Sequence, residues 1–151
     1  MKKILYLHGR GSKPGGTKPK FLQSLGYDVI NPHLPDESFD MSINIAKDAI
    51  QIHQPDVVVG SSRGGAVALA SANPDTKLVL MCPAWKHFNV TVPENLQDVT
   101  VLHAEEDKIV SHEDSIRLIE KCDAVLITCG ENHRMIDNVS LNTLEGVLLT
   151  K

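Results

Sequence analysis

The sequence predicts an α/β fold in which helices wrap a parallel β-sheet. Two observations point there. Short apolar runs alternate with helix-patterned segments along the whole chain, the signature of strands linked by helical crossovers. The runs are also apolar without an inside-outside alternation, as in strands buried on both faces.

Taken in order, the strand candidates are Lys3–Leu7, Tyr27–Asn31, Asp56–Gly60, Lys77–Met81, Thr100–His103 and Ala124–Thr128. Each is bounded by Gly, Pro, Asp or a polar turn. Helices are expected near Thr17–Leu25, Met41–His53, Arg63–Ala72, His112–Lys121 and Val139–Leu149. In the second of these, Ser42, Ile43, Ile45, Ala46, Ala49, Ile50 and His53 follow the three-four spacing of an amphipathic helix. Ser111, three residues before Asp114, reads as an N-cap with an acidic first turn. Two stretches stay irregular: the glycine-rich Gly9–Gly16 and the long Cys82–Asp98. Loops of that length in a compact domain usually carry function.

The chain of 151 residues, 42% hydrophobic and 23% charged, is the size of one domain, 1–151, with an ordinary core. A net charge of −4 offers no general attraction to nucleic acid or to an anionic membrane. The N-terminal apolar run is too short for a secretory signal, and no stretch suits a membrane span. Cys82, Cys122 and Cys129 lack metal-ligand spacing and read as reduced thiols of a cytoplasmic protein.

The strongest chemical signal is Gly60-Ser61-Ser62-Arg63-Gly64, a G-x-S-x-G pentapeptide. It follows Val57-Val58-Val59 and opens the small-residue helix Gly65-Ala66-Val67-Ala68. Strand, sharp turn and helix together form the setting of a nucleophile elbow, with Ser62 as its serine. A plain serine N-cap is the competing reading. A serine nucleophile needs a base, and the base needs an orienting acid. Asp107 lies beyond the end of the Thr100–His103 strand, and His133 lies on the loop after Ala124–Thr128, both on the rim where Ser62 projects. Glu105 and Glu106 compete for the acid role. Of the seven histidines, His133 alone sits on a post-strand loop in the right order; His8 and His103 suit loop orientation. Asp137 is expected to cap the last helix.

Leu7-His8-Gly9, Gly60-Ser61-Ser62-Arg63-Gly64, Ala104-Glu105-Glu106-Asp107-Lys108-Ile109-Val110 and Gly130-Glu131-Asn132-His133-Arg134 together resemble the α/β-hydrolase superfamily. Within it the chain is similar to short, lidless bacterial esterases, without the first two strands and the cap domain of larger members. The resemblance implies a three-layer sandwich with a six-stranded parallel sheet of order 2-1-3-4-5-6. It makes Ser62 the nucleophile, His133 the general base and Asp107 the acid. It also places the oxyanion hole on the backbone amides of Arg63 and Arg10.

The expected activity is hydrolysis of small soluble carboxylic esters through an acyl-enzyme on Ser62, with no metal or organic cofactor. Thioesterase, amidase or peptidase chemistry on the same triad is an alternative, as is a non-hydrolytic binding module using the same pocket. The partner is a small-molecule ester rather than nucleic acid or membrane, and self-association as a homodimer is left open.

Gly11-Ser12-Lys13-Pro14-Gly15-Gly16-Thr17-Lys18 transposes the lysine and hydroxyl of a Walker phosphate loop, so it reads as an extension of the oxyanion loop. Its Arg10, Lys13, Lys18 and Lys20 either favour an anionic substrate or simply face solvent. Gly9, Trp85 and Phe88 are candidates for the pocket wall, with a hydrophobic plug as the other reading of Trp85 and Phe88. The short interval between Ser62 and Asp107 leaves no room for a helical lid, which predicts a shallow, open pocket.

Overall fold

The computed structural model describes residues 2–151. Its elements in chain order are β1 Lys3–Leu7, α1 Thr17–Ser24, β2 Asp28–Ile30, α2 Phe39–His53, β3 Val57–Ser61, α3 Arg63–Ser71, β4 Lys77–Met81, β5 Asp98–His103, α4 His112–Ile119, β6 Ala124–Thr128 and α5 Asn138–Leu149. The six strands form one parallel sheet of order β2-β1-β3-β4-β5-β6, as expected. The order reverses beside β1, and the switch point lies between β1 and β3. In open α/β sheets such points form a crevice at the carboxyl ends of the strands.

Strand alternation builds two cores. Leu5, Leu7, Val58, Leu78, Leu80, Val99 and Val101 pack under α2, α3 and α4, through Ala46, Ala49, Ala66–Leu69 and Leu118. Ile4, Tyr6, Val57, Val59, Val79, Met81 and Leu102 face the other way, against Leu22 of α1 and Leu144, Val147 and Leu148 of α5. The four inner strands are therefore apolar nearly throughout, while edge strand β6 exposes Val125.

Helix ends follow local chemistry. α2 starts two residues earlier than its apolar periodicity implies, because the Ser38 hydroxyl accepts from the Met41 N–H at 3.0 Å. Ser111 caps α4 by accepting from the Glu113 N–H at 3.3 Å. Asp137 caps α5, accepting from the Ser140 N–H at 3.1 Å. Trp85 corrects one expectation. It sits in the α2–α4 core at 5% exposure, its indole N–H donating to the Asp114 carbonyl at 2.8 Å. With no long helix between β4 and β5, this ring is what seals that part of the sheet, so it is the plug and not a pocket wall.

Candidate active site

Ser62 stands between β3 and α3 with φ 57° and ψ −116°, a strained conformation for a residue with a side chain. The turn closes through its own backbone: the Ser62 N–H donates to the Met81 carbonyl at 2.9 Å. Its carbonyl accepts from the N–H groups of Gly65, Ala66 and Ala84. Two flanking glycines make this packing possible. A Cβ on Gly64 would fall 2.0 Å from the Leu7 carbonyl oxygen, and one on Gly60 would fall 2.4 Å from that of Gly64. The hydroxyl is thereby held at the N-terminal, positive end of α3.

His133 Nε2 lies 2.9 Å from Ser62 Oγ, and His133 Nδ1 lies 2.7 Å from Asp107 Oδ2. The Asp107 carboxylate is fully engaged. Oδ1 accepts from the N–H groups of Ile109 at 2.8 Å and Val110 at 2.9 Å, while Oδ2 accepts from His133 and, at 3.0 Å, from His103 Nε2. Desolvation is the largest single influence on this carboxyl and acts to raise its pKa. The N–H of Val110, the His133 ring and the N–H of Ile109 together outweigh it, so the acid lies below its ordinary range. The group is an anion in a dry setting. Its neighbours Glu105 and Glu106, the rivals by sequence, are exposed.

His103 supports the acid from below. It is fully buried, with Nδ1 2.6 Å from Ser115 Oγ and Nε2 facing Asp107 Oδ2 and the Val110 carbonyl. Two acceptors at Nε2 fix the proton there, so Nδ1 accepts from the Ser115 hydroxyl. Burial, above all, pushes its pKa down despite the carboxylate, and it remains a neutral donor. His8 orients another loop: its Nε2 accepts from the Leu34 N–H at 2.9 Å.

The loop bearing His133 is held from four sides. Gly130 takes φ +90°, where a Cβ would meet Ser140 Oγ at 2.3 Å. The Glu131 N–H donates to Asp137 Oδ1, and Met135 is buried completely. Lys18 Nζ donates to the Arg134 carbonyl at 2.6 Å, and the Cys82 thiol to the His133 carbonyl at 3.2 Å. Sequence reasoning missed Lys18 and Cys82 in this capacity. They are separated from their partners by 116 and 51 positions, so no local spacing could announce them. Cys82, Asp107 and His133 offer ligand atoms within 4.8 Å of one another. Burial pushes the Cys82 thiol up to about 12, however, so it stays protonated and donates to a carbonyl. With Nδ1 and the carboxylate engaged with each other, this donor set suits a proton relay better than a metal.

The two amides expected to form an oxyanion hole belong to residues that line the same cleft as Ser62. Arg63 N–H opens α3, and Arg10 N–H follows β1; among the described residues neither has a hydrogen-bond acceptor in the backbone or side chains. Gly9 packs against the turn: a Cβ there would make ordinary contact, 3.5 Å from the Ser62 Cβ. Beyond Gly9, the loop is tied down by Asp36, whose carboxylate accepts from the Gly11 N–H at 3.0 Å.

Ser62 and His133 open into a cleft of about 990 Å³ whose walls include Gly9, Arg10, Phe88 and Ile136. Gly9 and Phe88 are among the residues that border it, and Trp85 is not. The Gly9–Thr17 segment and the Lys86–Phe88 segment both contribute to its lining. No helix lies between β4 and β5, and none among the described residues is long and apolar enough to cross a membrane.

Comparison with protein-family models and with curated proteins gives no match. Solved structures are similar over the whole chain. A candidate hydrolase of the alpha/beta superfamily from Xanthomonas campestris superposes with a TM-score of 0.75 at 21% identity, covering 100% of both chains. Est1E from Butyrivibrio proteoclasticus gives 0.77 at 15% identity, covering 99% of this chain and 86% of its own. The mouse alpha/beta hydrolase domain-containing protein 10 gives 0.73 at 17%, with 98% and 88% covered.

Proposed function

We propose that this chain, which has the α/β-hydrolase fold, is a serine hydrolase that cleaves small soluble carboxylic esters. The observation that carries the reading is the unbroken hydrogen-bond chain from Ser62 Oγ through His133 to Asp107. In the first half-reaction His133 Nε2 takes the hydroxyl proton as Ser62 Oγ bonds to the ester carbonyl carbon. The oxyanion that forms is stabilised by the N–H groups of Arg63 and Arg10. The carbon–oxygen bond to the alcohol then breaks, and the alcohol leaves with the proton from His133. Water, deprotonated by the same nitrogen, attacks the acyl carbon; the bond to Ser62 Oγ then breaks, that oxygen takes the proton back from His133, and the acid leaves. Asp107 keeps the Nδ1 proton in place and offsets the imidazolium charge throughout.

An ester is the favoured substrate on two grounds. The triad suits acyl transfer without a cofactor, and the open cleft has no lid of the kind that covers lipid substrates. Three free thiols, Cys82, Cys122 and Cys129, support a reducing, cytoplasmic setting. Labelling with a fluorophosphonate probe tests the reading, because the probe phosphonylates only an activated serine. Wild-type protein should be labelled at Ser62. Ser62→Ala should fold, escape labelling and lose about 10⁴-fold or more of its ester turnover. Undiminished turnover by folded Ser62→Ala would overturn the proposal.

A further inference from the structure

The cleft has a charge character that the net composition conceals. The chain carries a formal charge of −4. Yet six basic side chains line the cleft, those of Arg10, Lys13, Lys18, Arg63, Lys86 and Arg134, against one carboxylate, Asp114. Of these six, only Lys86 is ion-paired, loosely, with Asp114 at 3.8 Å. Asp36 stands beside the cleft, accepting from the Gly11 N–H and acting on Arg63, while Glu106 and Glu131 border a smaller depression that shares His133 and Arg134.

The basic groups come from five separate places in the fold. Arg10 and Lys13 belong to the loop after β1, Lys18 to α1, Arg63 to α3, Lys86 to the segment after β4, and Arg134 to the loop of the general base. Their convergence around one opening is a tertiary arrangement and not a run of surface lysines. Arg63 adds an independent sign. Its side chain is 2% exposed, with Nη2 donating to the Pro35 carbonyl at 2.8 Å and the guanidinium carbon 5.6 and 5.7 Å from the rings of Phe39 and Phe88. Its Nη1 is buried with no partner, and no carboxylate contacts the group. Burial is the largest influence on it and lowers its pKa, although the carboxylates of Asp36 and Glu37 act from a distance to raise it. A buried cation with no anion in contact is costly.

We infer that the natural substrate is an anionic ester, one bearing a carboxylate or phosphate group that docks among Arg10, Lys13, Lys86 and Arg134 while Ser62 attacks its ester carbonyl. This inference rests on the serine-hydrolase reading and names the substrate class for it. Like charges this close raise the local potential of a low-dielectric cleft, which concentrates an anion and speeds its capture. Neutral esters gain nothing from that field. Docking is expected to weaken with salt, because the rim groups are exposed and the screening length falls to about 3 Å at 1 M ionic strength.

The test compares three p-nitrophenyl esters of similar length: butyrate, hemisuccinate and 3-phosphonopropionate. In low salt, kcat/KM for at least one anionic ester should exceed that for butyrate by about tenfold or more, as several charge pairs of a few tenths to 1 kcal/mol each allow. Whichever anionic ester leads identifies carboxylate or phosphate as the group recognised. The ratio should collapse in 0.5 M NaCl and in the triple variant Lys13→Gln, Lys86→Gln, Arg134→Gln, with Lys121→Gln on the remote α4–β6 turn as control. A ratio of one or less in wild type, or a ratio unmoved by the triple variant, would overturn the inference. Fluorophosphonate labelling on the same samples separates the two failures. Absent labelling removes the serine-hydrolase reading, whereas normal labelling without anion preference removes only this inference.

Discussion

At the scale of single residues the site depends on tautomers as much as on distances. Asp107 receives four hydrogen bonds, two on each oxygen. In Asp107→Asn the amide oxygen would keep the N–H groups of Ile109 and Val110, which turns the NH₂ toward the N–H groups of His133 and His103. Donor then faces donor, and His133 can resolve the clash only by moving its proton to Nε2, where it no longer accepts from Ser62. Turnover is expected to fall about 10⁴-fold. His133→Ala should be at least as severe, and the double variant little worse than the poorer single one, since the pair acts as a unit. Additive losses measured across that cycle would show the two residues working independently.

The same residues link stability to pH. Burial depresses the pKa of His103. The unfolded chain therefore takes up a proton near the ordinary histidine value of about 6.5 that the folded chain refuses. Asp107, also depressed once folded, keeps its contribution above the unfolded carboxyl value and loses it as pH falls through the folded one. Both shifts make acid destabilising. The urea midpoint should drop between pH 7 and pH 5, and less so in His103→Gln, where the histidine part is gone; equal drops in the two proteins would assign the effect to other groups.

At the scale of elements, the β3–α3 turn is where sequence tolerance is lowest. The Cβ of Gly64→Ala would meet the backbone carbonyls of Leu7 and His8 at 2.0 and 2.6 Å. Backbone on both sides has to move, and the end of β1 carries the Arg10 loop with it. The variant is expected to lose about 3 kcal/mol of stability, the upper end for overpacking, together with the ester turnover proposed above. Gly146→Ala in α5, where nothing lies within 4 Å of the added methyl group, should instead gain up to about 1 kcal/mol through helix propensity. Thermal unfolding of the two variants side by side checks both expectations. Loss in both would mean that the contrast between crowded and open sites is misplaced.

At the scale of the whole molecule, the opening is lined by apolar and basic residues together: Ala84, Phe88, Ile109 and Ile136 share it with Arg10, Lys13, Lys86 and Arg134. A buried methylene contributes about 0.8 kcal/mol only where apolar surface meets it. Acetyl to butyryl esters should therefore be hydrolysed faster than lauroyl or palmitoyl esters, without activation at an oil–water interface. A kcat/KM that keeps climbing to twelve or more acyl carbons would reveal a hydrophobic channel.

The sequence by itself determined the element order, the six strands and the parallel sheet, because burial on both faces demands long apolar runs and helical crossovers leave a distinct periodicity. It also determined the elbow, since the steric need for Gly60 and Gly64 around Ser62 is local. Chain order does not separate Asp107 from Glu105 and Glu106; the resemblance singled it out, and the fold shows that it is the one that meets His133. Asp107 turns inward onto two backbone N–H groups and His103, while its neighbours face solvent. Trp85 could be read as wall or plug with equal reason, because an aromatic residue after a strand suits either until packing is known. The grip of Lys18 and Cys82 on the His133 loop, the capacity of the cleft and its ring of positive charge were decided by tertiary structure alone. Each joins groups far apart in sequence, and electrostatic and steric effects act through space, where the order of residues along the chain has no bearing on distance.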